Sequence, residues 1–206
     1  MITRKPFNFT LVMEPIILHL LDGEIDDPKA FYDHCKATVG ELISKAKEKF
    51  PEDLLRFIGL PMWIYMNLKE KIGQEKAFEI MRIALITGGY AIQSILFDPV
   101  QFPRSFKMFC DRELFINQTG STKWNKLEPK ERTENRFEFT ISKCRYHELN
   151  EFLGIPEATP MICAVDNALF NSYLPEEMIF HRGGLNRKIA NGSKDGCHFV
   201  WEYKTE

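Results

Sequence analysis

Hydrophobic positions recur with two different periods along the chain, and the change from one to the other divides it. From 28 to 97 the spacing is helical. Asp26 and Asp27 stand before Pro28 as a cap with proline in the first turn, and Phe31, Cys35, Thr38, Val39, Leu42 and Ala46 then share one face up to a stop at Pro51. A second helix is predicted over 52–71, disturbed by Gly59 and Pro61, and a third over 74–97, where Ala77, Ile80, Met81, Ala84, Leu85 and Ile92 form an apolar stripe. Gly88 and Gly89 inside the third helix either let another element pack closely or leave room for a ligand.

The pattern weakens over 98–135. Two prolines limit any helix before Pro103, a short helix is predicted over 103–115, and a polar connection broken at Gly120 follows. Trp124 stands alone there as a packing residue. At Arg136 the period shortens to two: Phe137, Phe139 and Ile141 alternate with polar neighbours, and a helical period resumes at Cys144. Further on, 160–170 reads as a helix, and Cys197, Phe199, Trp201 and Tyr203 point to one side of a last strand. The prediction is an α+β fold, with a helical region over 1–135 packed on an antiparallel sheet and flanking helices over 136–206, the whole forming one compact unit.

Composition narrows the class. A chain of 206 residues with 44% hydrophobic content buries one substantial core. Its 27 basic and 29 acidic residues leave a formal charge of -2 and no basic stripe, which argues against a nucleic-acid partner. Glu14, Pro15 and His19 interrupt the apolar run near the N-terminus, so neither export nor membrane insertion is expected. Five cysteines without close pairing fit a reducing compartment, and the expected location is cytoplasmic. Apolar positions on more than one face of the 74–97 helix predict a homo-oligomer.

Candidate chemistry gathers in the C-terminal third. Cys144 sits where a strand gives way to a helix, a place where the helix dipole favours a thiolate. His147 follows at i+3, so the pair fits a nucleophile and its base, or two metal ligands; the plainer reading makes Cys144 a small apolar core residue. Cys163 and Asp166 repeat the spacing within ICAVD. A carboxylate in so apolar a helix needs a partner, which Arg182, Arg187, Lys188, a metal or a substrate would supply. Cys144, Cys163, Cys197 and His181, with His147 and Asp166, are donor types suited to zinc, yet no CxxC or HExxH is present, which favours a site without a metal or other cofactor.

The order of these features resembles the 2-aminothiazoline-4-carboxylate hydrolase family: a strand ending in a cysteine, the helix LNEFLGIPEATP, the CxxD of ICAVD, the FHRGG segment, and a glycine before a cysteine-aromatic strand in ANGSKDGCHF. The chain departs from the family pattern at Gly184 and Leu185, where a small hydroxyl residue is expected. The resemblance implies hydrolytic opening of a small cyclic isothiourea to a carbamoyl derivative of cysteine. Such chemistry needs a nucleophile, a proton donor and a cation for the carboxylate. Under it Cys144 or Cys163 is the expected nucleophile, Asp166 or His147 handles the proton, and Arg182 or Lys188 orients the substrate, with His181 and Trp201 as further contacts. The competing expectation is a non-catalytic ligand-binding module of the vinyl-reductase type, with a pocket beneath Trp201 and Phe199 and structural cysteines.

Overall fold

The computed structural model describes residues 9–96, 104–183 and 188–204. Eight α-helices and four strands lie in the order α1 (Phe9–Leu21), α2 (Pro28–Thr38), α3 (Gly40–Ala46), α4 (Glu52–Ile72), α5 (Gln74–Leu96), α6 (Phe106–Thr119), β1 (Lys126–Arg132), β2 (Arg136–Lys143), α7 (Arg145–Phe152), α8 (Thr159–Tyr173), β3 (Met178–His181) and β4 (Cys197–Tyr203) among the described residues. Single 3-10 turns at Pro156–Ala158 and Ile189–Asn191 complete them. The fold is α+β, with a helical N-terminal layer and a C-terminal antiparallel sheet.

Local signals explain most boundaries. Asp27 caps α2 by accepting from the amide of Ala30, with Pro28 in the first turn. The helix expected to run from Pro28 to Pro51 breaks at Val39 into α2 and α3. In contrast, α4 continues through Gly59 and Pro61, both buried. Packing of that face outweighs the bond that proline removes. Ser105 caps α6 by accepting from the amide of Met108, and the helix ends at Gly120.

Gly88 and Gly89 serve close packing. A Cβ on Gly88 would stand 2.1 Å from Met13 Sδ of α1, and one on Gly89 would stand 2.8 Å from Val165 Cγ1 of α8. α5 therefore packs closely on both helices, against the branched Val165 at Gly89 and against the flexible Met13 side chain at Gly88.

The sheet order is β1-β2-β4-β3, antiparallel throughout. Phe137 pairs with Trp201, Phe139 with Phe199 and Ile141 with Cys197, so the alternating residues of β2 meet those of β4 on one face. Trp201 is fully buried among the rings of Phe109, Phe137, Phe139, Phe170 and Phe180. Two core clusters result, one among α1 to α5 with α7, the other between the sheet, α6 and α8, and Cys144 touches both. α6 and β1 precede Arg136 and yet pack with the sheet's core. No described helix is long and apolar enough to cross a membrane.

Candidate active site

Where the two cores meet they leave a cavity of about 120 Å³. That is close to the roughly 150 Å³ which holds a benzene ring in an engineered protein core, so it has room for one small ring. α8 supplies Thr159, Cys163 and Asp166; α6 supplies Glu113 and Asn117; Cys144 and Tyr146 come from the start of α7, Cys197 and Phe199 from β4, and Arg182 from the residue after β3.

Asp166 has the partner its setting demands. Arg182 Nη2 donates to Asp166 Oδ2 at 2.8 Å, and the guanidinium carbon lies 3.7 Å from the centre of the Phe199 ring. Arg182 is buried, and its Nε and Nη1 have no hydrogen-bond partner among the described residues. A buried guanidinium with unused donors is prepared for an anionic ligand. Arg187, the other arginine considered for Asp166, lies outside the described residues, as do Gly184 and Leu185.

Cys144, Cys163 and Cys197 line the same cavity. Burial pushes the Cys144 thiol up to about 11, and the amides of His147 and Tyr146 at the start of α7 oppose that shift without cancelling it. The activation expected of a thiol at a helix N-terminus is therefore outweighed by desolvation. Burial takes Cys163 to about 12, with the charge of Asp166 adding to it and Arg182 opposing. Cys197 is raised for the same first reason, and its Sγ accepts from the amide of Ile189 at 3.1 Å. All three are protonated at neutral pH, so attack by any of them requires a base. Burial likewise raises Asp166, against the opposing charge and hydrogen bond of Arg182 and the charge of Lys188.

Four other residues considered from the sequence stand outside the lining. His147 Nδ1 lies 3.1 Å from Thr159 Oγ1, and Thr159 itself lines the cavity, so the imidazole is one side chain removed from it. His181 Nδ1 accepts from the amide of Gly183, and its Nε2 stands 3.5 Å from Glu202 Oε2. Lys188 is half-buried and acts on Asp166 through its charge. Trp201 belongs to the aromatic core, beneath Phe199 rather than at the cavity wall. Among the described residues no group of three or more His, Cys, Asp or Glu is arranged to hold a metal ion.

Glu113 was missed in the sequence. It lies on the buried face of α6 with Phe109, Cys110, Ile116 and Asn117, and Asn117 Nδ2 donates to its Oε1 at 3.1 Å. The signal was present as the i-4, i-3, i+3 and i+4 positions around it, a face that reads as buried once the helix is extended beyond Phe115. Burial first, then the charge of Asp166, push its pKa up to about 8, against Asn117 and Arg182.

Together these features define an α+β protein whose helical and sheet layers hold thiols, carboxyls and a guanidinium around a single-ring cavity. A family model described as L-2-amino-thiazoline-4-carboxylic acid hydrolase matches residues 56–201, and the chain belongs to that family. The matched span contains every cavity-lining residue. No curated protein and no solved structure matches the chain.

Proposed function

We propose that the protein is a hydrolase that opens a small cyclic amidine or isothiourea, such as 2-aminothiazoline-4-carboxylate, at a ring carbon-nitrogen bond. The observation that carries this reading is Arg182: buried at the cavity wall, tied to Asp166 by one nitrogen and carrying two more without partners. A ring carboxylate meets those donors, which sets the amidine carbon among the thiols. Cys144 or Cys163 adds to that carbon, and Asp166 takes the proton released. The ring carbon-nitrogen bond then breaks as its nitrogen takes up a proton, and water displaces the enzyme's cysteine sulfur, to which Asp166 returns the proton, leaving a carbamoyl derivative of cysteine. One water is consumed in all.

The placement of Asp166 favours catalysis over the binding-module reading, because a passive ligand clamp has no need of a carboxylate in its apolar wall. The test is turnover of 2-aminothiazoline-4-carboxylate by purified protein, with the product identified by mass and the assay repeated with chelator. Product formed in both arms supports the thiol and acid-base reading. Product lost with chelator assigns the thiols to a metal instead. No product in either arm, with a ligand still bound, supports the binding module.

A further inference from the structure

Two carboxyls line the cavity, and their surroundings differ. Asp166 is bound to Arg182, whereas Glu113 forms no ion pair among the described residues and accepts from Asn117 alone among the hydrogen bonds seen there. Glu113 keeps 5% of its surface. An unpaired carboxylate so deeply buried is costly, and the group avoids the cost by holding its proton. Of the charged and titratable groups that face it, Asp166 on α8 repels a second negative charge, Arg182 after β3 opposes that effect more weakly than burial and Asp166 favour it, and Cys110 on the same helix is a protonated thiol taken by burial to about 12. The cavity thiols of Cys144, Cys163 and Cys197 bring no positive charge. Burial and the charge of Asp166 set the Glu113 pKa at about 8. Among the carboxyls of the cavity, Glu113 is therefore the one carrying a proton to give at neutral pH, while the partner of Arg182 is the one fit to accept.

We propose that Glu113 is the proton donor of this site, protonating the ring nitrogen as its bond to the amidine carbon breaks. The assignment rests on the hydrolase reading. When that bond breaks its electron pair stays on nitrogen, which takes the carboxyl proton. The Glu113 carboxylate then recovers a proton from the water whose oxygen ends on the carbon, so the carboxyl finishes as it began.

The test is steady-state turnover of 2-aminothiazoline-4-carboxylate against pH by the full chain and by Glu113→Gln, which keeps size and the Asn117 contact. The expected loss in kcat is about 10²- to 10⁴-fold, the range for a lost general acid, with KM little changed. Wild-type kcat/KM should fall above about pH 8, and that alkaline limb should vanish in the variant. A variant within roughly threefold of wild type overturns the assignment. So does a wild-type profile flat through pH 9.5 (roughly), a measurement that needs no variant to fold. Inert wild type overturns the hydrolase reading and the assignment with it; active wild type with an active variant overturns the assignment alone.

Discussion

Arg182 Nη2 donates to Asp166 Oδ2 across 2.8 Å, and this bond joins the end of β3 to the middle of α8 at the wall of the cavity. Removing one partner leaves the other without its counter-charge at the cavity wall. Asp166→Asn and Arg182→Met should each cost about 3–5 kcal/mol of stability, toward the lower end because the Asp166 side chain keeps 23% of its surface where it lines the cavity. Denaturant unfolding measures this. Midpoints equal to wild type would show that the pair contributes nothing to the fold.

Glu113 makes stability depend on pH with a definite sign. Its pKa rises from an ordinary 4.5 to about 8 in the folded chain, so between those values the unfolded chain releases a proton that the folded chain keeps. Its contribution therefore disfavours folding progressively as pH rises from 4.5 to 8, then levels off. Glu113→Gln should remove that decline and raise stability at pH 8, by an amount on the order of a few kcal/mol. Unfolding curves across this window, wild type against variant, decide it; parallel pH dependences would contradict the prediction.

The thiols should be slow to alkylate at neutral pH. With Cys144 near 11 and Cys163 near 12, both are almost wholly protonated, and labelling by iodoacetamide should accelerate about tenfold per pH unit up to pH 9. Rapid labelling of either at pH 7 would show a thiolate already formed. In turnover, Cys144→Ser or Cys163→Ser should lose at least about 10²-fold, and full activity in both variants rules out covalent attack by these residues.

Much of the fold was legible because its causes are local. The alternation of Phe137, Phe139 and Ile141 marks β2, and the stripe from Ala77 to Leu85 marks α5. Asp166 was legible as a site residue because a carboxylate in an apolar helix needs a partner, and Arg182 was one of the partners named for it. β1 was not legible: KLEPKER carries proline and charge because it is a sheet edge with mostly exposed residues, so no alternation survives. Nor was the break at Val39 read, although Gly40 directly follows it and opens α3. Glu113 escaped because the predicted helix ends at Phe115, which cuts off Ile116 and Asn117 and with them half of the buried face that Glu113 shares.

Gly89 couples packing to the cavity. In Gly89→Ala the new methyl meets Val165 Cγ1 at 2.8 Å and Cγ2 at 2.9 Å, and Val165 lines the cavity. Overpacking costs about 1–3 kcal/mol, while alanine returns about 1 kcal/mol of helix propensity. The net expected is a loss of about 0–2 kcal/mol together with weaker ligand binding. Thermal unfolding and a ligand titration check both parts. A stabilised variant with unchanged binding would show that α5 and α8 have slack.

Whether Arg182 holds the substrate carboxylate is decided by deleting each partner separately and together. kcat/KM is measured for wild type and Arg182→Gln, each with 2-aminothiazoline-4-carboxylate and with 2-aminothiazoline lacking the carboxylate. If Arg182 holds that group, deleting either partner alone should cost about 10²-fold or more, and deleting both should cost little beyond one, a coupling of about 2.7 kcal/mol or more. Costs that simply add would show that the carboxylate binds elsewhere and that Arg182 is not its partner.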